Sequence, residues 1–446
     1  MNLKRISYYL GLFCFPISIL AFINILYSSY FDYFLSINSY ITTLIISLLF
    51  GFSFVFIGKN SEKKINFIEQ LILIIFVYLF VAVLISLPFY LSNYQVTFLN
   101  AFFESVSGIT GTGFSTFENV KYLDPTLILW RSSSQWIGGL YFLFFLLLIF
   151  SNKKFNYKMS EFTYSGDLII NSEVNIKNSL TKIFVLYSIL SFTIFLLLNI
   201  SEVRMFNSLN LSMSLVSAGG FMPANSLDKI IDSNFQKLVI IFALSISMLN
   251  FFLIFNIFRK KTILRKHEED LYIILLSLVL ILFIYFDEYS GLNIAISILS
   301  SLSNSGLSLI NSDNNLSLYF ILITAIGGSL ISNSSGIKFT RVYILLKTVS
   351  SEIIKLVSPN SVINKNIFSS ENKITEENIK ISFLIFISFF ISLFLLSSIL
   401  IVDNIDFEQS FKLSILTITN TTTSAMYGIE EMDFASLLTT SKLSLI

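Results

Sequence analysis

Four short runs of Thr, Ser, Asn and Gly interrupt a chain that is otherwise hydrophobic, each after an apolar segment too short to cross a membrane. They are Thr110-Gly111-Thr112-Gly113-Phe114, Ser217-Ala218-Gly219-Gly220-Phe221, Ser303-Asn304-Ser305-Gly306-Leu307 and Asn420-Thr421-Thr422-Thr423. Lipid cannot satisfy free carbonyl and N–H groups, so such backbone at membrane depth is tolerated only against protein or a water-filled path. A single run also reads as an external turn, since these residue types dominate turns. Four runs in the same place relative to their flanking segments favour one shared role, a path lined by carbonyl oxygens.

The composition is that of a polytopic membrane protein: 54% of residues are hydrophobic, 13% are charged and 48 are Phe, with a mean hydropathy of +0.77. About 20 apolar residues cross roughly 30 Å of hydrocarbon. Candidate spans lie at 7–29, 36–57, 68–92, 125–151, 180–200, 234–258, 269–286, 316–347 and 377–402. The first follows Lys4 and Arg5 as a secretory signal would, but it is too long and lacks a small-x-small cleavage site, so a retained helix is expected. The single cysteine, Cys14, lies within it, which excludes an intrachain disulfide. Short cytoplasmic loops collect Lys and Arg. With a cytoplasmic amino terminus, 22 of the 29 basic residues fall inside, in segments 4–5, 59–64, 153–182, 259–266 and 338–380. Asp32, Glu118, Asp124, Glu202, Asp228, Asp232, Asp287, Glu288, Asp403, Asp406, Glu408 and the four polar runs then fall outside.

One unit recurs: a full span, a half-span ending in a polar run, and a second full span, at 68–151, 180–258 and 269–347, with a fourth copy beginning at 377. This predicts an all-α integral membrane fold of two leading helices plus four pseudo-repeats of helix, re-entrant pore loop and helix around a central pore. The expected divisions are 1–64 for the leading helices, 65–158, 159–267 and 268–348 for three repeats, the last with an interrupted inner helix, 349–376 for a cytoplasmic amphipathic linker, and 377–446 for the fourth repeat. That repeat stops at Ile446, before its closing helix, so a truncation is expected there. Half-spans such as 97–109 and 292–302 would be roughly 16–20 Å long as helix and reach only mid-bilayer. Entering from outside, each would aim its carboxyl end, with about half a negative charge from the helix dipole, at the pore centre. Carbonyls of the following run would replace the hydration shell of a cation. Glycine suits such a run because inward-pointing carbonyls in succession require left-handed backbone angles.

Three further stretches carry a resemblance. Phe102-Phe103-Glu104-Ser105-Val106-Ser107-Gly108 leads into the first run. Trp130-Arg131-Ser132-Ser133-Ser134-Gln135-Trp136-Ile137-Gly138-Gly139 opens the span after it. Gly327-Gly328 through Ser334-Ser335-Gly336-Ile337-Lys338 is followed by Arg341, Lys347 and Ser358-Pro359-Asn360. Together with the repeat, these resemble the membrane subunit of the Trk, Ktr and HKT superfamily of potassium transporters, most closely the bacterial Trk branch, over essentially the whole chain. The resemblance implies that Thr110, Gly111, Thr112, Gly113, Ser217, Ala218, Gly219, Gly220, Ser303, Asn304, Ser305, Gly306, Asn420, Thr421 and Thr422 form a selectivity filter, with potassium, the transported ion, as its only metal. In the family a filter glycine in each repeat goes with potassium preference, and a serine at the first goes with sodium. Gly113, Gly220 and Gly306 fit the potassium pattern; Thr422 departs from it, and Gly428 lies too far downstream to substitute. Also implied are a flexible gate loop of Gly327, Gly328, Ser332, Asn333, Ser334, Ser335 and Gly336, and a homodimer with one pore per protomer. A cytoplasmic nucleotide-binding Trk regulatory subunit is the implied partner, docking on 347–373. The implied location is the bacterial inner (cytoplasmic) membrane, multi-pass among its lipids, with no cofactor and no covalent chemistry, so not an enzyme.

The residues themselves add three readings. Residues 327–336 hold three Gly, four Ser and one Asn inside an apolar span, and each glycine in a helix costs about 1 kcal/mol relative to alanine. A break facing a cavity and a small-residue patch for close helix packing are the two interpretations. Glu104 and Arg131 are the ionisable residues expected at membrane depth, where such groups are costly and usually paired; a direct or water-linked brace for the first run stands against separate contacts with carbonyls or solvent. His267, the only histidine, lacks Cys or carboxylate at ligand spacing and reads as a solvated loop residue, not a metal ligand. The basic loop before it reads as a topology signal or lipid contact, not a nucleic-acid site. Potassium uptake is the expected function. A sodium or mixed-cation conductor of the same fold is the alternative raised by Thr422. A polytopic membrane enzyme such as a lipid-linked glycosyltransferase is disfavoured, because the acidic residues are scattered over short connections.

Overall fold

Long apolar segments fold as helices here because a helix satisfies its own backbone without water. A computed structural model describes residues 2–33, 37–61, 65–150, 176–253, 267–284, 290–310, 314–360, 364–368, 373–429 and 432–446. Among the charges weighed above, residues 63, 64, 153, 154, 158, 259–261, 265, 266, 287 and 288 lie outside the described residues, as does the side chain of Lys177.

Helices α1 (Leu3–Tyr30) and α2 (Ile37–Gly58) form the leading pair. The first repeat comprises α3 (Phe67–Tyr90), the half-helix α4 (Phe98–Thr110) and α5 (Pro125–Phe150). The second comprises α6 (Ile176–Ile200), the half-helix α7 (Met205–Ser217) and α8 (Asn234–Met248). The third has α9 (Glu268–Ile284), the half-helix α10 (Gly291–Ser303), α11 (Asn314–Ile326) and α12 (Phe339–Val357). The fourth has α13 (Glu376–Val402), the half-helix α14 (Phe407–Ile418) and the short α15 (Thr439–Leu445). By length and composition α1, α2, α3, α5, α6 and α13 can each cross a membrane. The half-helices, 12 or 13 residues long, rise roughly 18–20 Å and cannot.

Residues 234–258 were expected to form one unbroken span, but α8 stops at Met248. Neither glycine nor proline marks that point; the cause is tertiary. The interruption between α11 and α12 crosses beneath, and the Ser329 N–H takes the Met248 carbonyl at 2.9 Å. Beyond it the Asn250 N–H donates to Asp270 Oδ1 at 2.8 Å and the Phe251 N–H to the Ile331 carbonyl at 2.8 Å. Thus the backbone groups freed by one broken helix are satisfied by the other.

The repeats close into a ring through contacts that small residues permit. A Cβ on Gly138 of α5 would stand 2.0 Å from the Ile109 carbonyl oxygen of α4, and one on Gly139 would stand 2.8 Å from Ser217 Cβ of α7. Helix α5 is therefore wedged between the first two half-helices, and α8 packs on α10 to join the second repeat to the third. The fourth repeat returns to the first. Phe434 stacks on Phe114 at 4.8 Å between centroids, and Lys442 Nζ on α15 donates to Asn100 Oδ1 on α4 at 2.8 Å. The leading pair is tied outside this ring, Tyr141 Oη donating to the Phe13 carbonyl at 2.6 Å.

Gly138→Ala should force α4 and α5 apart, because the obstructing atom is backbone. Overpacking of this kind costs about 1–3 kcal/mol, so the melting temperature in detergent should fall measurably. A variant that melts with the native protein would show that α4 yields freely.

Candidate functional site

The four polar runs meet at one point. A Cβ on Gly113 would lie 2.9 Å from Gly220 Cα and 2.9 Å from Thr422 Cβ; one on Gly220 would lie 2.3 Å from Thr422 Cβ and 2.9 Å from the Ser305 carbonyl oxygen; one on Gly306 would lie 2.6 Å from both Thr422 Cγ2 and the Thr422 carbonyl oxygen. No side chain larger than hydrogen fits at these three glycines while the fourth run carries threonine. Thr422 Oγ1 donates to the Gly113 carbonyl at 2.8 Å, which closes the ring between the fourth and first runs.

Each half-helix ends the same way. Gly111, Ala218, Asn304 and Asn420 are all left-handed, with φ of 82°, 57°, 64° and 46°. The turn lets the next residues bond back into the helix: Gly219 N–H to Ser214 O, Ser305 N–H to Ser300 O and Thr421 N–H to Leu416 O, at 2.8, 3.1 and 2.8 Å, with Gly113 N–H to Ser107 O at 3.3 Å in the first repeat. Asparagine visits this region more readily than other non-glycine residues. Two residues on, Gly113 and Gly306 are left-handed as well, with φ of 82° and 72°, but Gly220 and Thr422 are not. The expectation that every filter glycine serves a left-handed backbone thus fails at Gly220, whose lack of a side chain answers to Thr422 instead. For the same reason Thr422 carries a β-branched side chain without strain.

Side chains behind the runs hold them. Arg131 Nε donates to Glu104 Oε1 at 2.7 Å with both groups buried. Glu104 Oε2 accepts the Thr116 N–H at 2.8 Å, and Ser115 Oγ donates to Oε1 at 3.1 Å and accepts from Arg131 Nη2 at 3.0 Å. The strand leaving the first run is thereby fixed to α4 and α5. The guanidinium also lies 4.1 Å from the Phe221 ring centre, so Arg131 touches the second repeat too. Gln135, one turn further along α5, gives the second run its own anchor: its Oε1 accepts the Phe221 N–H and Ser214 Oγ–H, each at 3.0 Å. Sequence reasoning assigned Gln135 no role, although its spacing of four from Arg131 puts both on one helix face.

Beneath the runs lies the interruption at 327–338. It leaves α11 and returns to it: the Ile337 N–H bonds the Ala325 carbonyl at 3.0 Å and the Phe339 N–H bonds Gly328 O at 3.2 Å. Gly327 and Gly336, both left-handed, let the strands touch, since a Cβ on Gly327 would stand 2.1 Å from the Ser335 carbonyl oxygen. Lys338, counted above among the inside basic residues, is buried and fills the loop. Its Nζ donates to Ser329 O at 3.1 Å, Ser332 Oγ at 3.2 Å, Ser334 Oγ at 3.3 Å and, more closely, Ser334 O. From the other side Glu269 Oε2 accepts from Ser329 Oγ at 2.8 Å and Oε1 from the Leu330 N–H at 3.0 Å. His267, expected in solvent, is buried at 2.9 Å from Asp270 Oδ2, and Asp270 in turn holds Asn250. Sequence reasoning gave Glu269 and Asp270 no role, because no local pattern shows a loop descending onto them.

All expected site residues therefore fall in two adjacent places. Among the runs, Thr110 and Thr112 share a hydroxyl contact of 2.8 Å, Ser217 turns back to the Met213 carbonyl of its own helix, Ser303 and Ser305 face each other at 3.2 Å, and Asn304 reaches Thr421 at 3.2 Å. In the loop, Ser332 and Ser334 face each other at 2.7 Å. Asn333 reaches the Val216 carbonyl near the end of α7, and the Ser335 N–H meets the Asn304 side chain of the third run. Lys412, on α14 and unnoticed in the sequence, is buried and paired with Glu408 at 2.6 Å. Among the described residues no group of three or more His, Cys, Asp or Glu could hold a metal ion.

A family model described as TrkH, cation transport protein, matches residues 36–287. Similar chains include an uncharacterized cation transporter of Methanocaldococcus jannaschii, 27% identical over 374 residues, covering 82% of this chain and 77% of that one. The Trk system potassium uptake protein TrkG of Escherichia coli is 24% identical over 353 residues, 74% of this chain and 72% of its own. Among solved structures, the potassium transporter TrkH from Vibrio parahaemolyticus superimposes with a TM-score of 0.82 at 19% identity, covering 100% of this chain and 95% of that one.

Removing one partner of a buried ion pair strands the other charge and costs about 3–5 kcal/mol. Glu104→Gln and Arg131→Met should each lower the yield of folded protein and its melting temperature, and the double variant should lose less than the two singles combined. Strict additivity in that thermal cycle would show that the pair does not act as a unit.

Proposed function

The chain belongs to the TrkH family of cation transport proteins, and from that premise we propose that it takes up potassium through a filter of main-chain oxygens, with residues 327–338 as the gate beneath. It is a multi-pass membrane protein and a transporter, not an enzyme. The observation that supports the filter most is the convergence of Gly113, Gly220, Gly306 and Thr422. Four half-helices end around that point, and the carboxyl end of each contributes roughly half a negative charge. A monovalent cation is favoured there without a carboxylate ligand that would hinder its departure. Carbonyl oxygens of Gly113, Ser305 and Thr422 lie at the convergence and are of the kind that replaces a hydration shell.

Potassium is cargo in this reading, and no further cofactor is invoked. The distribution of Lys and Arg supports a cytoplasmic amino terminus, with the half-helices entering from outside and the gate on the cytoplasmic side of the filter. The membership of relatives in a Trk system supports a cytoplasmic nucleotide-binding regulatory subunit as partner, docking on 347–373, and a homodimer with one path in each protomer completes the proposal.

One contact favours a second reading, conduction of sodium or of mixed cations. The Thr422 hydroxyl occupies one of the two lone pairs of the Gly113 carbonyl, so that oxygen is a weaker ion ligand than its counterparts. Cells that lack potassium uptake should grow at low potassium when they express this chain, with weak competition from sodium; no growth despite membrane insertion would count against potassium uptake. Thr422→Gly should raise the potassium-to-sodium permeability ratio measured from bi-ionic reversal potentials. A ratio unmoved by that change would remove the basis of the mixed-cation reading.

A further inference from the structure

Asn304 and Asn420 occupy the same position in the third and fourth repeats, the left-handed residue that ends the half-helix, and both side chains reach down to one residue of the interrupted segment, Ser335. Asn304 Oδ1 accepts the Ser335 N–H at 3.0 Å, while its Nδ2 donates to the Thr324 carbonyl at 2.9 Å and to Thr421 Oγ1 at 3.2 Å. Asn420 Nδ2 donates to Ser335 Oγ at 3.1 Å, and its Oδ1 accepts from Thr112 Oγ1 at 3.2 Å, which brings in the first repeat. The second repeat is reached by Asn333, whose Nδ2 donates to the Val216 carbonyl at 2.7 Å. Residues 333–335 are thus bonded, directly or through one side chain, to all four quarters of the ring. Glycine satisfies a left-handed cap better than asparagine, so backbone conformation alone does not account for the two amides.

We propose that Asn304 and Asn420 are positioning residues that latch the loop to the base of the filter through Ser335. The proposal rests on the reading of the four runs as filter and of 327–338 as gate. With the latch closed, the loop cannot leave the path without giving up the bonds that Ser335 makes to Asn304 and Asn420. Thr112 and Thr421 belong to the runs themselves, so loop position and run geometry become one mechanical unit. Any ion that stabilises the runs also stabilises the latched loop, since such coupling is reciprocal.

The test uses the full chain in liposomes, with rubidium-86 uptake driven by a potassium gradient. Asn420→Gly removes the amide while keeping the cap conformation, and Ser335→Ala removes the hydroxyl at the other end of the same bond. Each should raise uptake about fivefold to tenfold, the shift in a closed–open equilibrium expected from losing one hydrogen bond of ordinary strength. The double variant should exceed neither single, and melting temperatures should stay near that of the native chain. Damage to the scaffold would lower uptake and melting temperature together. Uptake at or below the native rate in both single variants, with the native chain conducting, overturns the latch and leaves the transport reading standing. Absence of rubidium, potassium and sodium flux in the native chain and every variant overturns the transport reading, and the latch with it.

Discussion

At the centre of this molecule, peptide groups leave helical geometry where no lipid can receive them, and the structure is organised by where those groups find partners. The four half-helices stop together, each on a left-handed residue after which an N–H one or two positions on bonds back into the helix. The strand beyond the first run is held by Glu104 and that beyond the second by Gln135. Lower down, the broken ends of α8 and α11 exchange bonds, Met248 with Ser329 and Phe251 with Ile331. A single interrupted helix in this environment would leave carbonyls unpaired. Interruptions that face one another satisfy one another, which is why they occur together.

Buried charge follows the same logic. Glu104 and Arg131 are a fully buried pair, buried Lys412 meets the exposed carboxylate of Glu408, and Asp270 receives the His267 ring. Lys338 takes loop oxygens instead of a carboxylate. The Lys338 side chain is surrounded by carbonyl and hydroxyl oxygens of the loop, so the loop beneath the runs is folded around an amine supplied by its own chain. Glu269 fixes the same loop from outside by accepting the Ser329 hydroxyl and the Leu330 N–H. The Glu104–Arg131 pair constrains shape more than it adds stability, since the desolvation of a buried pair offsets most of its attraction.

Much of the fold was legible because the relevant signals are local. Span lengths, half-span lengths and the recurrence of glycine-bearing runs are visible residue by residue, and the break after Ile326 coincides with three glycines within ten residues. The break after Met248 was not legible, because no helix breaker stands there and its cause is a loop 80 residues away in the chain. His267 misled for a related reason: it follows a basic segment typical of a solvated connection, yet the chain carries it inward to Asp270. Gln135 lay in plain sight within a quoted motif, but an uncharged amide on an apolar helix gives no sign of which backbone it will face.

The lengths of apolar runs and the placement of polar runs, properties of neighbouring residues, were enough to determine a membrane-embedded helical ring built from one repeated unit. The tertiary structure decided which atoms of the four units meet. That Gly220 must be glycine because of Thr422, that Lys338 fills a loop, and that Asn304 and Asn420 share Ser335 all depend on distances between residues far apart in the chain. Such contacts arise when four half-helices are packed around one axis, and no local pattern encodes the angle at which they arrive.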